Sequence, residues 1–273
     1  MQNNIGASLL DSKLIVTTNI ETYDVKLVCC GKYVQLYTFE NKKFKKIKND
    51  KDINIKDIDT NNLKKMNHKD SDTILPKNII RSKLACQRLA KSNSKDWKTF
   101  ITLTIAENLT DIDKANKRFR YFIDKVKRID KDIKYLCIPE FQKRGAVHYH
   151  LLTNIDINDK RFMYVQDDNP KYKHVKYWID GFTKVDNVDN NIKKIIGYIS
   201  KYMTKEIDKR LYSHHRYFYS RNLEKPSVNF LNLNNPTHLE FYHKFIKNKT
   251  VIYENQYLDI YTKETIKFQE LME

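Results

Sequence analysis

Three observations predict an α+β fold, an antiparallel sheet covered by helices, with extensions at both ends of the chain. A hairpin pattern, YLCIPEFQKRGAVHYHLLT (Tyr135 to Thr153), lies near the middle of the sequence. Around it, segments of strand and helical periodicity follow in the order strand, helix, hairpin, strand, helix. The chain has 273 residues and is 40% hydrophobic, enough to bury a core.

Tyr23 to Phe44 alternates as two strands, VKLVCC and YVQLYTF, around Gly31-Lys32. Lys42 to Asp72 is dominated by Lys, Asn and Asp and reads as a solvated linker or a mobile insertion. Pro76 opens a helix to about Ser92, with Ile79, Ile80, Leu84 and Leu89 as its apolar stripe. Trp97 to Ile105 is β-branched and aromatic, hence a strand, in which Thr102 and Thr104 read as strand filler. Thr110-Asp111 offers a cap for a helix carrying Ile112, Ala115, Phe119, Phe122, Ile123 and Val126 at helical spacing. After the hairpin, Asn154 to Lys173 reads as a loop containing Pro170. His174 to Ile179 reads as a short helix and Gly181 to Val185 as a short strand. A helix follows from about Asn190 to Ile207, and the tail after Pro226 holds strand-like pieces and a last helix. This divides the chain into an N-terminal extension (1–75), a central domain (76–226) and a C-terminal extension (227–273).

In the hairpin, Lys143-Arg144-Gly145 suits a three-residue loop with Gly145 in the left-handed conformation. That loop sets Gln142 opposite Ala146, Glu140 opposite His148 and Ile138 opposite His150. Side chains two apart share a face, so Glu140, His148 and His150 converge while Val147, Tyr149 and Leu151 point the other way. Two imidazoles and a carboxylate can hold a divalent metal with open coordination positions.

The helix after Asn190 carries IKKIIGYISKYMTKEI. At 100° per residue, Tyr202 lies roughly 90° and Tyr198 roughly 130° from the centre of its apolar stripe, on the same flank and one turn apart. Lys201 and Lys205 each follow a tyrosine by three residues. A tyrosine hydroxyl is a competent nucleophile when a cation activates it, and a nearby lysine offsets charge developing on a phosphate. Singly, HxH and YxxK are weak motifs, and both tyrosines also fit as edge residues of an amphipathic helix.

The formal charge is +17, with 51 Lys plus Arg against 34 Asp plus Glu. This points to a polyanionic partner, since counterion release from phosphates drives such binding. The alternative is a chain whose base composition inflates Lys, Asn and Ile. Among the aromatics are 18 tyrosines, which beside basic residues suit stacking on unpaired bases. The four cysteines, Cys29, Cys30, Cys86 and Cys137, match no zinc spacing and fit a reducing cytoplasm. There is no Walker A pattern, no signal-like N-terminus and no apolar run long enough for a bilayer, so no membrane partner is expected.

Three stretches in this order resemble rolling-circle replication initiators of the HUH endonuclease family, of the bacterial plasmid and phage type. They are FITLT (Phe100 to Thr104), RGAVHYHLL and GYISKYMTK; SRNLEKP after them is also similar. Tyr149 is less apolar than usual at the middle of the histidine motif. The resemblance spans about Lys83 to Pro226. It implies an RRM-like, five-stranded antiparallel sheet and a metal, Mg2+ or Mn2+, held by His148, His150 and Glu140. It also implies a nucleophile at Tyr202 or Tyr198, with Lys201 and Lys205 as charge-stabilising partners. Such enzymes nick one strand of origin DNA, stay joined to its 5′ end and later rejoin it, with a host helicase and polymerase, in the cytoplasm of a bacterial or phage-infected cell.

Lys209 to Lys225 (KRLYSHHRYFYSRNLEK) offers Arg216, Tyr217, Tyr219 and Arg221 as contacts to single-stranded DNA, or an edge strand with solvated charges. Lys143 and Arg144 suit either a DNA contact at the hairpin tip or a solubilising turn. Two rivals remain: an HUH transposase or relaxase, and a nucleic-acid-binding module with no chemistry.

Overall fold

The computed structural model describes residues 22–45, 77–166, 169–188, 196–197, 214–259 and 262–273. In chain order the elements are β1 (Thr22–Cys30), β2 (Tyr33–Phe44), α1 (Lys77–Ser92), β3 (Thr99–Thr104), α2 (Ile112–Ile129), β4 (Tyr135–Phe141), β5 (Val147–Thr153), β6 (Met163–Gln166), β7 (Asn169–Val175), β8 (Thr183–Asn187), β9 (Phe218–Tyr219), β10 (Ser227–Leu231), α3 (Pro236–Ile246), β11 (Thr250–Leu258) and β12 (Thr265–Met272). The chain divides into two compact units, Pro76–Lys225 and Met1–Leu75 with Pro226–Glu273.

The central unit is built on a five-stranded antiparallel sheet in the order β8-β3-β5-β4-β9. Its hairpin forms as the sequence predicts. Gln142 N donates to Ala146 O at 2.8 Å, Gly145 N donates to Gln142 O at 2.8 Å, and Gly145 adopts φ 95°. That positive φ costs a residue with a β-carbon strain that glycine avoids. One face of the sheet packs on α2. Asp111 caps this helix by accepting from Asp113 N and Lys114 N, and all six predicted apolar positions are buried. Phe119 stacks on Tyr149 at 4.7 Å between ring centroids, and Phe122 meets Trp178 edge-on at 5.6 Å. Burying an aromatic ring of this size contributes about 2–3 kcal/mol, so this face anchors the unit.

SRNLEKP closes the unit mechanically. Ser220 exchanges hydrogen bonds with the backbone of Tyr135, donating its N to Tyr135 O and accepting Tyr135 N on its Oγ, both at 3.0 Å. Asn93 clasps Glu224 by donating to its carbonyl and accepting from its N–H, both at 2.9 Å.

Two predicted pieces of this unit differ in the structure. The loop expected over Asn154 to Lys173 contains β6, and its end starts β7, which pairs antiparallel with β6 as a two-stranded ribbon. Pro170 argues for a loop only if the strand lies inside a sheet. In a ribbon every strand is an edge, and an edge tolerates the missing N–H. The helix expected over His174 to Ile179 is instead the end of β7 followed by a turn, in which Tyr177 takes φ 71°. Buried His174 is held there by Thr183, whose Oγ1 lies 3.3 Å from its Nδ1. That tertiary contact outweighs a weak local helical preference.

The second unit is also a five-stranded antiparallel sheet, in the order β10-β1-β2-β12-β11. The two terminal extensions thus share one sheet. Gly31, at φ 61°, makes the turn between β1 and β2. Val25, Leu27, Val34, Leu36, Leu231 and Leu271 form a core against Phe241, Tyr242 and Phe245 of α3. The last described element is β12, where the sequence suggests a final helix; the helix stands earlier, at Pro236–Ile246. Most of the predicted linker from Lys42 to Asp72 lies outside the described residues, though Lys42, Lys43 and Phe44 continue β2. No helix among the described residues is long and apolar enough to cross a membrane.

Candidate active site

Residues paired across an antiparallel ladder share a face. The register therefore gathers Phe100, Thr102 and Thr104 of β3, His148, His150 and Leu152 of β5, and Leu136, Ile138 and Glu140 of β4 on the face opposite α2. All seven residues of β5 are buried, so the histidines stand on a face that is closed off from water rather than a wetted one.

His150 is held from three sides. Its Nε2 lies 2.7 Å from Glu140 Oε2, its Nδ1 lies 3.3 Å from Thr102 Oγ1, and its ring stacks with Phe100 at 5.9 Å and 8°. The Glu140 contact is diagonal, because Glu140 pairs with His148 across the ladder. His148 is also buried, and its Nε2 has no hydrogen-bond partner among the described residues. Burial first, then His150 and Arg144, lower its pKa to about 4 against the opposing pull of Glu140. At neutral pH His148 is therefore an uncharged imidazole able to offer a lone pair.

The donor set fits a divalent cation such as Mg2+ or Mn2+ in kind: a carboxylate, neutral imidazoles and one buried ring nitrogen without a partner among the described residues. Thr102 would accept Nδ1–H of His150 and leave Nε2 free to ligate. Among the described residues, no three such side chains close on one point. Glu140 and His150 touch, whereas the His148 and His150 ring centroids are 6.4 Å apart.

Tyr198, Tyr202, Lys201 and Lys205 lie outside the described residues. Nearby, Ile196 and Gly197 are helical, and Ile196 is buried. In β9, Tyr219 pairs with Leu136 and so stands on the histidine face, with Tyr217 two residues before it. Their rings lie 5.9 Å apart; Tyr219 is exposed, while burial pushes the Tyr217 phenol up to about 12. Phe218, between them, turns to the α2 core. Arg216 is half-buried and Arg221 exposed. Lys143 is exposed on the hairpin tip. Arg144 folds back, donating from Nη2 to Ile105 O at 3.1 Å and from Nε to Gln142 Oε1 at 2.9 Å.

Thr102 corrects the sequence reading, because it contacts His150 rather than merely filling a strand. Phe182 was not singled out from sequence. Its carbonyl accepts from Thr104 N at 2.8 Å, which aligns it with Thr104, His148 and Glu140 on the histidine face, where it is exposed. Strand alternation in FITLT puts both threonines on one face, but only the pairing partner says which face that is.

An α+β unit with a five-stranded antiparallel sheet and paired histidines on its central strand is of the Rep-type endonuclease fold class. Residues 98–207 match the family model of the replication-associated protein ORF2, which supports a Rep-type replication initiator. No curated protein and no solved structure matches the chain.

Proposed function

We propose that this protein starts rolling-circle replication as a metal-assisted, tyrosine-nucleophile nickase and strand-transferase acting on single-stranded origin DNA. The observation that carries this reading is the pairing of His150 with Glu140 at 2.7 Å beside a neutral His148 whose buried nitrogen has no partner among the described residues, all on one sheet face. The family match over residues 98–207 extends past both candidate tyrosines.

A bound Mg2+ or Mn2+ would supply Lewis-acid polarisation of the scissile phosphate. Glu140, His148 and His150 would hold it, with Thr102 fixing the His150 ring. The hydroxyl oxygen of Tyr202 or Tyr198 attacks phosphorus, a Tyr O–P bond forms, and the bond to the 3′ oxygen breaks. The freed 3′-hydroxyl takes up a proton and primes synthesis, while the 5′ end stays on the tyrosine. Lys201 and Lys205 offset the negative charge at phosphorus. Attack by a 3′-hydroxyl on the phosphotyrosyl bond reverses the step and rejoins the strand. Arg216, Tyr217, Tyr219, Arg221, Lys143 and Arg144 bind the strand, and the host's helicase and polymerase extend the fork.

The test is a denaturing gel of protein incubated with labelled single-stranded origin DNA, in Mn2+ or EDTA. A slow-migrating adduct is expected in Mn2+ alone, lost in the Tyr198→Phe/Tyr202→Phe double variant. Tight binding to cognate DNA without any adduct would instead make the chain a non-catalytic binding module. Preference for transposon ends or a transfer origin over a replication origin would make it a transposase or relaxase.

A further inference from the structure

The second unit has two unlike sheet faces. One packs on α3. Across the other, the register aligns Phe230, Lys26, Tyr37, Phe268 and Asn255 in one row spanning all five strands. With strands about 4.8 Å apart, that row is about 19 Å long. Aromatic rings run along it in two linked groups. Tyr23 contacts Phe230 at 4.6 Å and Phe39 at 5.7 Å; Phe268 contacts Tyr37 at 5.0 Å and Tyr253 at 6.0 Å. Lysines lie over these rings. Lys26 stands 5.6 Å from the Tyr37 centroid and 5.9 Å from Phe230, Lys45 stands 5.1 Å from Phe230, and Lys43 stands 5.8 Å from Phe39. Most of these rings are half-buried, and Tyr253 is exposed.

A purely structural sheet face would hold aliphatic residues, as the α3 face does. Rings interleaved with ammonium groups instead match a strand of bases and phosphates, since each base stacks on a ring and each phosphate meets a cation. We propose that this face is a second single-stranded DNA site, separate from the nicking face and recognising about four nucleotides with little sequence preference. The inference rests on the reading of the chain as acting on single-stranded DNA, but not on its cleaving that DNA.

The test uses the full-length protein in EDTA, so that no nicking is required. An oligothymidylate carrying 5-iododeoxyuridine is photo-crosslinked to it, and the crosslinked peptides are mapped by mass spectrometry. Crosslinks at Phe230, Tyr253 or Phe268 are expected alongside any in residues 76–225. Fluorescence anisotropy on the same oligonucleotide should show the Tyr253→Ala/Lys45→Gln variant, altered only at two exposed positions, binding about tenfold more weakly with an unchanged melting temperature. Crosslinks confined to residues 76–225, together with unchanged affinity in the variant, would overturn the proposal. Adduct formation in Mn2+, measured separately, tests the nicking reading, so each failure is distinguishable from the other.

Discussion

His150 Nε2 reaches Glu140 Oε2 at 2.7 Å across the diagonal of the β4–β5 ladder, while the residue directly opposite Glu140 is His148. Diagonal neighbours on a sheet are separated by about 7–8 Å at their α-carbons, within reach of two long side chains. The consequence is an asymmetric pair. One imidazole is clamped by a carboxylate and a hydroxyl, and the other keeps a buried nitrogen with no partner among the described residues.

The clamp makes Thr102 a positioning residue. Thr102→Val keeps shape and β-preference but removes the acceptor behind His150 Nδ1. Loss of such a support lowers metal affinity about 10- to 100-fold. Titration calorimetry with Mn2+ should show that loss while the melting temperature of the metal-free protein stays near wild type. An unchanged affinity would mean that the hydroxyl has no part in holding the ring.

His148 predicts an acid-labile fold in the absence of metal. Its folded pKa is depressed to about 4, below the value of about 6.5 for an unfolded chain. The unfolded state therefore binds more protons between these values, and stability falls as pH drops through that window. The full effect is at most about 3 kcal/mol. Urea unfolding in EDTA at pH 7 and pH 4.5 should show this loss, and His148→Gln should flatten it. Equal slopes for the two proteins would rule out His148 as the cause.

Tyr149 stands where a purely apolar residue is expected, and the structure gives the reason. Its hydroxyl donates to Asn116 Oδ1 of α2 at 2.9 Å, inside the core. Breaking one side of a buried hydrogen bond costs about 1–3 kcal/mol, because the other group is left unsatisfied. Tyr149→Phe and Asn116→Leu should each destabilise by about that amount, and the double variant by much less than their sum. Strict additivity in chemical denaturation would show that the two groups do not depend on each other.

Gly181 lets the turn before β8 press against β3. A β-carbon there would stand 2.3 Å from Thr104 O and 2.6 Å from Ala106 N. Both are backbone atoms that β3 and its continuation hold in place, through Thr104 N to Phe182 O and Ala106 N to Asp180 O. Gly181→Ala should cost about 1–3 kcal/mol or more and loosen the β8 edge. Hydrogen exchange should show faster exchange of the Thr104 and Ala106 amides. Native protection of both would mean that the turn accommodates the methyl group.

The hairpin, α2 and their shared core were legible because their signals are local. A glycine at a three-residue loop sets the register, and helical spacing from Ile112 to Val126 sets the buried face. The same register, read from sequence, already gathered Glu140, His148 and His150. What sequence could not decide depends on contacts between distant residues. Thr102 meets His150 from 48 positions away, and β1 pairs with β10 across nearly the whole chain. The β6–β7 ribbon was missed because its strands are short and one contains Pro170, which a ribbon edge tolerates and a sheet interior does not. The hairpin's own residues thus determined which side chains share a face. Only the tertiary structure decided which of them touch, because side-chain contact depends on the strand that arrives next door, and no local pattern names that neighbour.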